Sequence, residues 1–304
     1  MDKHRKYLRF TWFLVIWVFL VIIAGGVVRT TQSGMGCPDW PTCFGRWIPP
    51  TSVADLPADY EKYLRAQDID HSFNALHTWI ESINRYLGAL LGIICFIHLI
   101  WSFRLYRKTN KAVVWLSLLL VLLVGFQGWL GKKVVDHNLA AAKITTHMLV
   151  ALLIAALPLI IIYRFRHTER KAVPFLKNLT TATIIIILVQ IVLGTQVREQ
   201  IDETSKSLAY QERELWMSRL DNMFIIHRSF SWLVLAACLA VLWKSRPFPE
   251  FKTISTAIFV LVLLTLFVGL IMMWAHIPAW AQPLHLLLAC ILVLTVFTLR
   301  LRLK

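Results

Sequence analysis

Apolar runs of about twenty residues, separated by polar stretches, recur along the whole 304-residue chain. At 1.5 Å per helical residue, a run of that length crosses a hydrocarbon layer of roughly 30 Å. Eight such spans are expected, near 11–30, 76–103, 112–131, 144–163, 176–197, 222–243, 253–275 and 279–299. The second is long for a single crossing, so its first turns should stand among the headgroups. The pattern predicts an all-α membrane protein of eight transmembrane helices. The first run does not read as a cleaved signal peptide. It is too long, and Gly25-Gly26-Val27-Val28-Arg29 lacks a small-residue cleavage site.

Composition points the same way, since 58% hydrophobic against 16% charged residues lies far from the balance of a soluble domain. The net charge of +15 could indicate nucleic acid, but its placement argues otherwise. The N-terminus (Lys3, Arg5, Lys6, Arg9), segments 104–111, 164–177 and 244–252, and the C-terminus hold 19 of the 32 basic residues with three acids. The two long intervening loops are acidic: 31–73 has six acids to three bases, and 198–221 has six to four. Basic segments on one side of the bilayer set topology, so both termini are expected in the cytoplasm. The lipid bilayer, not nucleic acid, is then the partner of the positive charge.

Cys95, Cys238 and Cys290 fall inside spans and read as small apolar packing residues. Cys37 and Cys43 fall in the first outer loop, on the oxidising side, where a local disulfide is the default. A redox-active pair is an alternative, as is a zinc site, for which the loop offers only His71 and His77.

Landmarks repeat in order between two halves, 1–170 and 171–304. Gly25-Gly26-Val27-Val28-Arg29 matches Gly194-Thr195-Gln196-Val197-Arg198, and Asn84-Arg85 matches His227-Arg228. Gly131 precedes His147 by sixteen residues, as Gly269 precedes His285. Two four-helix bundles related by a pseudo-twofold axis along the membrane normal are therefore expected. His147, His227 and His285 all lie in the first turns of helices entering from the outer face. Two imidazoles on facing helices could ligate haem iron at both axial positions, as His227 and His285 would in the second half. The plain alternative is a set of histidines hydrogen-bonded to carbonyls. In the first half Asn84 stands where a second ligand would be, leaving His147 alone.

His77, Glu81, Asn84 and Gly88 share one helical face. Glu81 could relay a proton there, or simply pair with Arg85. Gly88 would let a flat macrocycle approach the backbone. Arg29 and Arg85 in one half, and Arg198 and Arg228 in the other, could anchor haem propionates or snorkel to headgroups. His98 lies deeper, with Val241 as its repeat counterpart, and does not supply a second haem depth. His4, His137, His167 and His276 read as loop or interface residues.

Taken together, Gly25–Arg29, Ser33-Gly34-x-Gly36-Cys37-Pro38-Asp39-Trp40-Pro41-x-Cys43-x-Gly45, Glu81-x-x-Asn84-Arg85, Gln127-x-x-x-Gly131, His147, His227-Arg228 and His285 resemble the haem A synthase family over nearly the whole chain. The resemblance implies a membrane oxidoreductase that oxidises a ring methyl of haem O to the formyl of haem A, for cytochrome oxidase assembly. It implies a haem b cofactor held by His227 and His285 in the C-terminal half. Substrate haem O would enter the N-terminal half near His147, with Glu81 as the catalytic carboxylate. Asn84 replaces the family's histidine, so His147 would ligate alone, or the iron would shift to His77. The second half also lacks the cysteine pair that some members carry in its first outer loop. Haem O synthase, a membrane electron acceptor and a second copy of this chain are candidate partners. A bis-histidine electron-transfer cytochrome and a haem carrier are the competing functions.

Overall fold

The computed structural model describes residues 2–60, 73–136, 141–165 and 170–304. Among these, eight helices are long and apolar enough to span a membrane. They are α1 (Asp2–Thr30), α2 (Ala75–Tyr106), α3 (Lys111–Asp136), α4 (Ala141–Arg164), α5 (Pro174–Ser207), α6 (Asn222–Ser245), α7 (Pro249–Trp274) and α8 (Ala281–Leu301). Each coincides with one of the expected apolar runs, although α7 ends at Trp274, one residue short of its run, and α8 starts at Ala281, two residues into its run. His71, His137 and His167 lie outside the described residues, so neither the zinc alternative through His71 nor the loop reading of the other two is addressed.

Helix starts follow local chemistry. The Asn74 side chain accepts from the Leu76 and His77 N–H groups (3.0 and 3.2 Å), and Asp221 accepts from Met223 N (2.7 Å). Proline opens α5 and α7, where its missing N–H costs nothing. Two boundaries differ markedly from the expectation: α1 starts at Asp2, well before its apolar run at 11, and α5 outlasts its run. The apolar run of α5 ends near 197, but the helix continues to Ser207. Arg198 and Asp202 pair one turn apart at 2.7 Å. Val197 and Ile201 extend a buried stripe that packs with Trp216 and Ile277. Tertiary burial thus carries the helix through a polar sequence that hydropathy alone would end.

The chain divides into two compact units, 1–161 and 162–304. In the first, α1 packs on α2 and α2 on α3, and a short 3₁₀ turn, Ser33–Met35, lies against α2. In the second, α5 packs on α6, α6 on α7, α7 on α8, and α8 back on α5. That is a closed ring of four helices, in which α6 and α8 stand on opposite corners. Large apolar side chains face outward, among them Trp12, Ile93, Phe96, Trp115, Trp232, Phe267 and Trp274. Surface of this kind needs lipid to cover it.

A polar cluster lies at the end of the first unit that carries the basic segments. Tyr7, Thr11, His98, Ser102 and Ser117 are fully buried. The Thr11 hydroxyl sits 3.1 Å from His98 Nε2, and the Tyr7 and His98 rings pack 4.8 Å apart. His98 is therefore a partnered interior residue. His4 Nδ1 lies 2.7 Å from the Tyr106 hydroxyl, and His276 is exposed in the α7–α8 turn. Cys95, Cys238 and Cys290 are buried free thiols, as their packing role requires.

Candidate functional site

Cys37 and Cys43 are joined by a disulfide. Among the described residues no group of three or more His, Cys, Asp or Glu side chains is arranged to hold a metal ion. Asp39 organises the loop from inside, accepting from the N–H groups of Phe44 and Gly45 (2.5 and 2.9 Å) and from the Thr42 hydroxyl. The loop is seated on the first turns of α2. The Thr78 hydroxyl donates to the Gly36 carbonyl (2.9 Å), and Ser82 Oγ lies 3.1 Å from Cys37 Sγ. A Cβ on Gly36 would fall 2.5–2.7 Å from the backbone of His77 and Thr78. Only glycine lets the loop lie that close. Gly36→Ala should lift the loop off α2 at a cost on the order of 1–3 kcal/mol, the range for overpacking. Faster proteolysis of the loop in folded protein would register it; unchanged protection would contradict the seat.

Glu81 and Arg85 are the centre of that seat. One Glu81 oxygen accepts from Cys37 N (2.8 Å) and the other from Arg85 Nη2 (2.5 Å). Arg85 also donates to the carbonyls of Cys37 (3.2 Å), Asp39 (2.5 Å) and Thr42 (2.9 Å). The carboxylate side chain is 5% exposed and the guanidinium 14%, so neither can give up its partner cheaply. Glu81 thus pairs with Arg85 and also holds the loop through Cys37 N–H. The sequence showed the pair but not the loop carbonyls that share Arg85.

Beside this seat the face of α2 is open. A Cβ on Gly88 would meet nothing within 4 Å. The Asn84 Oδ1 atom is sheltered and without a hydrogen-bond partner, and it faces Gly25 of α1. His77 sits one turn before Glu81, half-buried, with its backbone under the disulfide loop. Arg29 lies in the last turn of α1, half-buried and with partners. His147, on α4, is held by its backbone carbonyl, which accepts from Gln127 Nε2 of α3 at 2.9 Å.

In the second unit His227 and His285 lie on α6 and α8, opposite corners of the closed ring. The His227 carbonyl accepts from Gln190 Nε2 of α5 (3.0 Å), the counterpart of the Gln127 bond. His285 Nδ1 lies 3.0 Å from the Thr265 carbonyl. A carbonyl only accepts, so Nδ1 carries the proton and Nε2 keeps its lone pair. Nδ1 of His147 and of His227 is sheltered and without a partner, leaving Nε2 as the nitrogen able to reach a ligand. Arg228 stacks over Phe224 at 5.8 Å, and Arg198 pairs with Asp202. Both stand beside the apolar cap of Val197, Ile201, Trp216 and Ile277. The Gln–carbonyl bonds were missed at the level of single histidines. Their signal is a glutamine four residues before each glycine, in Gln127-x-x-x-Gly131 and Gln190-x-x-x-Gly194.

These residues fit a haem. Two imidazoles on diagonal helices, one with its tautomer fixed by a carbonyl, would serve as ligands to a haem iron. The open face at Gly88 suits a flat ring.

The chain is similar to known proteins over nearly all of its length. The heme A synthase of Flavobacterium psychrophilum is 24% identical over 317 residues, covering 91% of this chain and 92% of that protein. That of Beijerinckia indica is 26% identical over 312 residues, covering 90% and 86%. That of Shewanella oneidensis is 32% identical over 196 residues, covering 62% and 56%. The family model described as cytochrome oxidase assembly protein (COX15-CtaA) matches residues 8–297. A match running through both units decides the matter: the chain belongs to the cytochrome oxidase assembly protein family.

Proposed function

We propose that the protein is a haem A synthase, a membrane oxidoreductase that converts the ring methyl of haem O to the formyl of haem A. The observation that supports it most is the placement of His227 and His285 on opposite helices of a closed four-helix ring; in the first unit the matching ligand position holds Asn84. The second unit, 171–304 on the sequence, takes haem b as resident cofactor, with Arg198 and Arg228 toward its propionates. His227 and His285 would hold the haem, which would supply electron transfer there.

The first unit, 1–170, takes haem O as substrate. His147 presents Nε2 to it, Asn84 offers an unpaired carboxamide oxygen, and Arg29 faces the propionate side. Arg85 is already committed to three loop carbonyls and Glu81, so it acts as wall more than anchor. Glu81 manages protons at the reacting edge, where the loop excludes water. The basic end and both termini face the cytoplasm, the histidines lie toward the outer face of the cell membrane, and haem O synthase is the natural supplier. The electrons leave to a membrane acceptor, and a second copy of the chain is a further partner to test.

Pigment extracted from cells making this protein together with a haem O synthase tests the reading. Haem A should accumulate. Unchanged haem O would make the protein a cytochrome or a carrier, and absence of bound haem would defeat all three. In the same cells His147→Ala should abolish haem A while His77→Ala keeps it. The reverse would move the iron about 10 Å along α2, seven residues at 1.5 Å each.

A further inference from the structure

The four consecutive helix pairs share one local arrangement. On the first helix of each pair a glycine faces a ligand position on the second: Gly25 and Asn84, Gly131 and His147, Gly194 and His227, Gly269 and His285. A Cβ on Gly194 would lie 3.1 Å from His227 Cε1, one on Gly269 3.3 Å from His285 Cε1, and one on Gly131 3.4 Å from His147 Cε1. Opposite Asn84 the nearest atom is Oδ1, at 4.0 Å. Other helical glycines do not behave this way. Gly88, Gly125 and Gly128 have nothing within 4 Å.

Small residues in membrane helices usually let backbones approach. Here the atoms met are imidazole atoms, so the glycines make room for rings. One turn before each ring-facing glycine is a group that holds the same histidine. Gln127 and Gln190 bind the backbone carbonyls of His147 and His227, and the Thr265 carbonyl binds His285 Nδ1. Each histidine is thus held at one point and given a slot at the next turn. A methyl group at 3.1 or 3.3 Å is inside the ordinary carbon–carbon separation of about 3.5–4.0 Å, so the rings of His227 and His285 would have to give way, whereas the 3.4 Å at Gly131 is ordinary contact. His285 cannot move freely without stretching its 3.0 Å bond to Thr265.

We propose that Gly194 and Gly269 are positioning residues, whose missing side chains set the angle at which His227 and His285 present Nε2 to a haem. The inference rests on the reading of His227 and His285 as haem ligands. In pair one the slot persists opposite Asn84, although no ring occupies it.

The test uses the full-length protein purified from membranes with its haem. Gly194→Ala and Gly269→Ala are compared with Gly125→Ala, His227→Ala and His285→Ala by low-spin optical and electron-paramagnetic-resonance spectra, haem content and thermal melting. Alanine favours helix over glycine, so melting of the protein part should hold or rise. The low-spin signature should shift, and haem retained through gel filtration should fall at least about threefold, with Gly125→Ala unchanged. Wild-type spectra in both ring-facing variants would overturn the proposal, as would loss of fold with Gly125→Ala intact, since packing would then be the glycines' role. If the His227→Ala and His285→Ala proteins kept the wild-type spectrum, the ligand reading itself would fall.

Discussion

Alanine at His285 should leave the protein folded and strip it of its low-spin haem. Its imidazole is the better defined of the two in the second unit, because the Thr265 carbonyl fixes both its tautomer and its ring plane. Removing a group behind a metal ligand typically costs 10–100-fold in affinity, so losing the ligand itself should cost at least as much. His227→Ala should behave alike, because the two stand on opposite corners of one ring and neither can substitute for the other. The four helices bury their own contacts, including Ile187, Ile191, Val241, Ile258, Val262 and Val296, so the bundle does not depend on the histidines for packing. Reduced-minus-oxidised difference spectra on purified protein read the result. Retention of the spectrum in either variant would mean that the pair is not the axial set.

Glu81→Gln should be the most damaging substitution in the first unit that keeps the size of the side chain. The amide oxygen can accept from Cys37 N–H or from Arg85 but not from both, its NH₂ faces the other donor, and the group can no longer take a proton. Positioned acid–base groups contribute about 10²–10⁴-fold to rate, and a loss of haem A formation in that range is expected. The loop must be shown intact in the same protein, by the failure of Cys37 and Cys43 to react with a thiol reagent. Haem content in the second unit should be unaffected. If Glu81→Gln kept full conversion, the carboxylate would be no more than a link in the loop's seat. Glu81→Ala is the harsher change. It leaves Arg85 and Cys37 N–H without their partner, and breaking such a pair inside a protein costs about 3–5 kcal/mol.

Much of this was legible in the chain. The spans follow from hydropathy, and the three histidines stand out because ionisable groups at membrane depth are rare and expensive. The repeat put His227 opposite Asn84, which is where the two units differ most. What could not be read was set by contacts distant in sequence. The continuation of α5 to Ser207 depends on Trp216 and Ile277, which no local propensity reveals. Arg85 looked equally suited to a propionate, to headgroups or to Glu81. The carbonyls of Cys37, Asp39 and Thr42 are joined to it only by folding. Gly131, Gly194 and Gly269 were noticed as landmarks of a repeat, yet the use of Gly194 and Gly269 emerges only when the imidazoles facing them are in place.

The seating of the disulfide loop also fixes an order of events during synthesis. The bond from Cys37 N to Glu81 spans 44 residues, and every partner on which the loop is seated (Thr78, Glu81, Ser82, Arg85) belongs to a helix made after the loop. While the ribosome is still completing α2, the carbonyls of Cys37, Asp39 and Thr42 have no guanidinium to meet. The loop can close on itself through Asp39, but it cannot dock. Arrival of the second helix is therefore the event that turns a tethered ring of residues into a wall of the pocket. Errors in the 74–85 segment should accordingly appear in pulse-labelled cells as a lag in loop protection, well before any shortage of inserted helices.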